Sequence, residues 1–328
     1  VTGVQTCALP ILFLLNYGGG IVISLILMKQ IAKFFLIMAM GFVLVKTRLM
    51  KVEESKSLSM VVIYLIMPCV IINAFQVEYT ESIRNGLILA LVAAVLIHIV
   101  LIILAKVLEN MFHLDAVEKA SIMYSNAGNL IIPIVTSVLG KEWVIYSSAF
   151  LSVQIILLWT HGRVVLSEER KIDFKKILLN INIITIFFGI LLFVTRIQLP
   201  NIITETMESI SGMIGPISMV VMGMMIGNMS FKQIFAYKRI YLITFLKMIV
   251  CPIIILLILK YGGMANLLPN AKKILLISLL ATITPSASTV TQMVQIYGKN
   301  AEYASIINVV TTIVCIVTMP ILVWLYQI

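Results

Sequence analysis

Apolar runs long enough to cross a lipid bilayer recur from one end of this chain to the other, and no other feature of the sequence constrains its fold as strongly. A hydrocarbon core of about 30 Å needs roughly 20 apolar residues in a helix. Ten segments meet or approach that length, near 21–45, 57–75, 86–108, 120–139, 144–166, 177–194, 209–229, 241–259, 273–296 and 304–325. Backbone amides and carbonyls find no water at that depth, so each segment must satisfy them internally, as a helix does. Composition agrees: 61% of the 328 residues are hydrophobic and 12% charged, whereas a soluble domain is nearer half apolar and a quarter charged. The expected class is an all-α integral membrane protein with ten transmembrane helices, and the lipid bilayer is its first partner.

The net charge of +10 invites a nucleic-acid reading. The basic residues, however, lie in short loops between apolar runs and no run forms an arm, so no nucleic acid is expected. Loops after the odd-numbered segments carry fifteen Lys and Arg, those after the even-numbered segments six. The richer side is cytoplasmic, which places both termini outside the plasma membrane. The most polar connection, Ser167-Glu168-Glu169-Arg170-Lys171 and on to Lys176, follows the fifth segment. It divides the chain into a first five-helix repeat at 21–166, a linker at 167–176 and a second five-helix repeat at 177–328. Residues 1–20 are set apart: 1–11 resembles a translated sequencing adapter and 12–20 reads as translated upstream sequence, with the start expected between positions 21 and 28. Cys69, Cys251 and Cys315 lie in apolar segments and Cys7 near the start. None has metal-ligand spacing, so neither a metal nor a cofactor is expected.

Two apolar segments are interrupted by polar, helix-breaking residues at matching places in the two halves. The first carries Asn126-Ala127-Gly128-Asn129-Leu130-Ile131-Ile132-Pro133 and the second Thr284-Pro285-Ser286-Ala287-Ser288-Thr289. Each runs on to a Gly-Lys pair, Gly140-Lys141 and Gly298-Lys299, and then to a last long apolar segment; Pro68 and Pro216 correspond in the same way. An odd number of helices per copy reverses the second copy in the bilayer, giving an inverted repeat about an axis in the membrane plane. Paired broken helices of this kind point to the substrate site of a secondary transporter. Pro133 removes a helical bond, Gly128 permits an open backbone, and Asn126 and Asn129 offer replacement hydrogen bonds, which predicts an interruption near 128–133. Pro285, with Thr284, Ser286 and Ser288 around it, predicts another near 284–289. If the two cross, half-helix N-termini point into one small space, and their partial positive charge favours a carboxylate. A single break of this kind would read as an ordinary proline kink; two at equivalent places favour a site.

The combination of Asn126-Ala-Gly-Asn129-x-x-x-Pro133 with Thr284-Pro285-Ser286-Ala-Ser-Thr, in a five-plus-five arrangement over about residues 21–328, resembles the auxin efflux carrier family. It is most similar to the bacterial members, permeases for malate and malonate among them. The resemblance implies a scaffold domain from helices 1, 2, 6 and 7 and a moving domain from helices 3–5 and 8–10, with elevator or rocking alternating access. It further implies that Asn126, seven residues before the helix-4 proline, contacts the substrate, and that Ser286 lines the site from helix 9. Plant members carry an amide at the latter place, so a plant-like substrate preference is not implied.

No Asp or Glu falls at mid-membrane, so the carboxylate relay of many pumps is missing and uniport of a small organic anion is expected. Lys247 is the deepest charge. It could balance an anionic substrate or snorkel to the cytoplasmic surface. His98 could exchange protons near neutral pH, although a lone His bonded to a neighbouring helix is the ordinary case. The Met-rich stretch from Met213 to Met225 reads as packing, and Gly223-x-x-x-Gly227 as a close-approach motif suited to the interface of a homodimer. An intramembrane enzyme would need a carboxylate pair, a metal cluster or a nucleophile near a base. None is present, so no catalytic residue is assigned. A ligand-sensing receptor on a carrier fold is the further alternative, and a channel lacks charged rings or a filter motif. The substrate residues expected are thus Asn126, Gly128, Asn129, Pro133, Thr284, Pro285, Ser286 and Ser288, with Lys247 and His98 in a charge or proton role.

Overall fold

The computed structural model describes residues 19–167, 179–227 and 237–328. The expectations for residues 1–18 and for the body of the central linker lie outside them. Among the described residues the regular elements are all helices, apart from one isolated β-bridge. In chain order they are α1 Gly19–Lys46, α2 Val52–Phe75, α3 Glu81–Phe112, α4 Ala116–Met123, α5 Ala127–Val138, α6 Lys141–Ser167, α7 Ile181–Thr195, α8 Asn201–Gly227, α9 Arg239–Tyr261, α10 Ala271–Ile283, α11 Ser288–Ile296 and α12 Ala301–Gln327. Six of them, α2, α3, α6, α8, α9 and α12, are long and apolar enough to cross a membrane. The outer faces of α3 and of the shorter apolar helix α7 carry large bare side chains: Leu91, Val95 and Ile99 on α3, and Phe187, Leu191 and Val194 on α7, are all exposed. Continuous apolar stripes of this kind suit contact with lipid.

Local sequence explains several departures from straight helix. Single π turns at Val62–Ile66 in α2 and Leu246–Val250 in α9 run directly into Met67-Pro68 and Cys251-Pro252. A proline cannot donate to the carbonyl four residues back and its ring crowds that carbonyl; one wider turn relieves both problems. In α8 the chain turns at Gly212-Met213, just ahead of Pro216. Gly140 and Gly298, the glycines of the two Gly-Lys pairs, both hold positive φ, at +111° and +66°, where a Cβ would be strained. Each reverses the chain between a short helix, α5 or α11, and a long one, α6 or α12.

Two groups of helices pack around each other. One comprises α1, α2, α7 and α8; the other gathers α3–α6 and α9–α12, and α1 also touches α5 and α12 while α8 touches α5. A Cβ built on Gly223 would collide with the Met38 carbonyl, and one on Gly41 with that of Val220. The α1 and α8 backbones therefore lie in direct contact. This corrects the sequence-based expectation for Gly223-x-x-x-Gly227: the motif is used inside the chain, against α1, and not between subunits. The second group is tied at one end by Glu118, buried in the first turn of α4. Its carboxylate accepts Arg239 Nε at 2.6 Å, a second Arg239 N–H at 2.8 Å and the Tyr303 hydroxyl at 2.8 Å, and it forms a capping box with Asp115. Thus α4, α9 and α12 are held together by one satisfied ion pair.

Candidate functional site

The backbone is non-helical at 124–126, between α4 and α5, and at 284–287, between α10 and α11. The two breaks meet. Ser125 and Ser286 pair as an antiparallel bridge, Asn126 N–H donates to the Pro285 carbonyl at 2.7 Å, and Ala287 N–H donates to the Tyr124 carbonyl at 3.0 Å. Each unwound strand thereby satisfies the other, which is what permits open backbone inside an apolar bundle.

Side chains from the long helix following each break complete the pairing. From α6, Gln154 accepts the Ser125 N–H at 3.1 Å and donates to the Ser125 carbonyl at 2.8 Å. From α12, Thr311 Oγ1 accepts the Ser286 N–H at 3.1 Å and the Asn308 amide donates to the Ser286 carbonyl. Sequence reasoning did not single out Ser125, Gln154, Asn308 or Thr311. Their signal was available: each is a polar residue within a largely apolar stretch, where a polar side chain needs a partner.

The first break lies earlier than predicted. Gly128, Asn129 and Pro133 belong to α5, which continues through the proline, so the open backbone expected near 128–133 is not there. A helix loses one hydrogen bond at an internal proline and can continue; Ser137 Oγ donates to the Pro133 carbonyl at 2.7 Å. What ends α4 is the pairing of residues 124–126 with the second break, a tertiary event.

The predicted residues separate into two places. Asn126 is buried at the start of α5, its Oδ1 accepting Ser288 Oγ at 3.5 Å and its Nδ2 lying 4.0 Å from Met222 Sδ of α8. Thr284 bonds back to the Ala281 carbonyl at 2.8 Å, and Ser286 is buried in the bridge. Pro285 borders a small apolar void of about 30 Å³ with Leu130, Ile134, Met38 and Met219. Of the predicted set, Pro133 alone lines the large cavity, about 570 Å³, that opens between α1, α2 and α8 on one side and α5 and the start of α6 on the other. The side chain of Asn129 lies outside what the structure describes.

That cavity contains residues the sequence had not assigned. Lys33, Asn73, Thr136, Ser137 and Ser211 line it, and neither atom of the Asn73 amide has a partner among the described residues. Lys141 and Glu208 form an exposed ion pair at 3.0 Å across it, joining the α5–α6 turn to α8. An exposed pair of this kind is worth about 0–1 kcal/mol, weak enough to open and close.

Lys247 does not snorkel. Its side chain is 1% exposed, and Nζ donates to the Ile122 carbonyl at 3.0 Å and to Ser125 Oγ at 2.7 Å, so the surface alternative is withdrawn. His98 is also buried, but it bonds within its own helix, Nδ1 donating to the Ala94 carbonyl at 2.7 Å, with its ring against Phe150. It lines neither the cavity nor the void. Among the described residues no group of His, Cys, Asp or Glu has the arrangement to hold a metal ion.

The family described as membrane transport protein matches this chain over residues 26–175 and 165–323, which is nearly all of it. No curated protein matches significantly.

Proposed function

This chain belongs to the auxin efflux carrier family of membrane transport proteins, and from that premise we propose that it is a secondary carrier of small organic anions, mono- and dicarboxylates such as malate and malonate. The observation that carries the reading is the meeting of two broken helices, with a cavity of about 570 Å³ lined by Pro133 further along α5, a size within the range of small-ligand sites. The N-terminal ends of α5 and α11 face one another across the bridge, and their partial positive charge suits a carboxylate. Asn126 sits at that junction. Its amide donates to a carboxylate without adding a charge that would need neutralising when the site is empty. Ser286 and Ser288 contribute from the other half.

In the mechanism we propose, an anion enters the cavity past Lys33, exchanges water for the free amide of Asn73, and passes along α5 toward Asn126, about two helical turns from Pro133. The helices α1, α2, α7 and α8 form the scaffold and the remainder the moving unit, so that motion of one group past the other carries the crossing between the two faces. Ten membrane-crossing segments in a five-plus-five inverted repeat, with both termini outside the plasma membrane, complete the reading. In that orientation the Lys141–Glu208 pair stands on the outer face and the cavity is open outward. Movement is uniport, driven by the anion's gradient and the membrane potential. Each net charge gains or loses about 2.3 kcal/mol per 100 mV, a concentration ratio of roughly fifty, so an interior-negative cell favours export.

The test is counterflow in proteoliposomes containing the purified protein, against a panel of mono- and dicarboxylates. Saturable exchange of at least one carboxylate, with none of a neutral sugar, is expected. Folded protein that exchanges no carboxylate would remove the proposal.

A further inference from the structure

Two broken helices have four ends at their crossing, and the two kinds need opposite partners. The N-terminal ends, at Ala127 and Ser288, carry partial positive charge. The C-terminal ends of α4 and α10 carry partial negative charge, about half an elementary charge each, and together they call for about one positive charge. In carriers built this way such C-terminal ends and their freed carbonyls hold the coupling ion.

Here the position is taken by a side chain. Lys247 Nζ donates to the Ile122 carbonyl at the end of α4, and to Ser125 Oγ. Ser125 Oγ in turn donates to the Thr282 carbonyl at the end of α10, at 3.1 Å. The direction of this chain is forced: an ammonium only donates and a carbonyl only accepts, so the hydroxyl must take one bond and pass on the other. One ammonium and one hydroxyl thus span both negative ends. Among the described residues no carboxylate pairs with Lys247; the one buried carboxylate, Glu118, is engaged by Arg239 and Tyr303. The partner of the buried cation is therefore the pair of helix ends itself. The π turn at Leu246–Val250 contains Lys247, and α9 packs against α4 and α12 there.

We infer that the crossing is a monovalent-cation site whose permanent occupant is the tethered ammonium of Lys247, so that the carrier needs neither Na⁺ nor K⁺. The inference rests on the carrier reading and supplies its reason for being uncoupled. It also requires that a neutral residue at 247 leave an empty site that a small free cation can fill.

The experiment compares wild type, Lys247→Met and Lys247→Arg in NaCl, KCl and choline chloride, by thermal unfolding in detergent and by malonate counterflow in proteoliposomes. Wild type and Lys247→Arg should unfold and exchange alike in all three salts. Lys247→Met should be least stable in choline chloride, and NaCl or KCl should raise its midpoint by about 5 °C once the ion reaches a hundred times its Kd, with exchange recovering at least tenfold in the same salt. Wild-type transport that requires Na⁺ overturns the inference. So does a Lys247→Met protein that behaves in choline chloride as wild type does. Failure of Lys247→Met to fold in every salt would pass the test to Lys247→Gln, which keeps two donors without the charge. The same failure there would show a structural post rather than a cation site, and would overturn the inference too. Absence of malonate exchange in wild type, with the salt effect on Lys247→Met intact, would count against the substrate proposal and for the cation site.

Discussion

Asn126 is where the substrate proposal can be tested with one atom group. Replacing it by Ala removes an amide but leaves the N–H that bonds Pro285, so the crossing should survive. A hydrogen bond to a charged group is worth about 1.5–3 kcal/mol, and Asn126→Ala should weaken the apparent affinity for the transported carboxylate about ten- to a hundredfold, measured by concentration-dependent counterflow. Unchanged affinity in a folded protein would take Asn126 out of the site. Asn73 offers a second, opposite expectation. Its amide has no partner among the described residues, so Asn73→Leu should cost the fold little, and in the proposed mechanism it should slow entry. Equal thermal midpoints with reduced uptake would support a role in binding, while a lowered midpoint with unchanged uptake would make Asn73 structural.

At the scale of elements, the crossing depends on two clamps that come from outside it, Gln154 on α6 and the Asn308–Thr311 pair on α12. Gln154→Leu would bury the Ser125 N–H and carbonyl without partners, at about 1–3 kcal/mol for each group. A drop in unfolding midpoint of several degrees is expected, together with loss of transport. Gly223 tests the packing of α1 on α8 instead. A Leu there would collide with the Met38 carbonyl, and overpacking of this sort costs about 1–3 kcal/mol. Gly223→Leu should lower the midpoint in detergent as strongly at low protein concentration as at high, because the contact lies within one chain. A loss confined to dilute protein would return this face to a subunit interface.

For the whole molecule, the proposed topology rests on the fifteen-to-six distribution of basic residues between alternate loops. A cysteine at Thr80 should be labelled by a membrane-impermeant thiol reagent from outside intact cells, and one at Ser167 should not. Labelling at Ser167 from outside would invert the orientation and with it the side to which the cavity opens. Energy coupling is tested at the same scale. Uniport predicts that neither a pH gradient nor a Na⁺ gradient drives accumulation, and that His98→Gln leaves transport unchanged, since His98 bonds its own helix and lines neither the large cavity nor the small void. Accumulation driven by pH and abolished in His98→Gln would replace uniport with proton coupling.

The sequence by itself determined the class and the places where helices could fail. Hydrophobic length, the lack of carboxylates at mid-membrane and the paired Pro- and Asn-rich interruptions are local properties, and local chemistry is what a sequence displays. It located the second break, expected near 284–289 and observed at 284–287, because Pro285 sits in it; residues 288 and 289 already belong to α11. It misplaced the first, because Pro133 is tolerated inside α5, and the real opening at 124–126 is made by hydrogen bonds to a segment some 160 positions away. The same limit governed Lys247. A lone lysine in an apolar helix has two destinations, and nothing near it in the chain chooses between them. The choice is made by the Ile122 carbonyl and the Ser125 hydroxyl, groups that fall within reach of its ammonium only after α4, α9 and α10 have packed. Tertiary structure decided this because a buried charge takes its partner from whatever the fold brings close, and no residue near Lys247 in the chain supplies one.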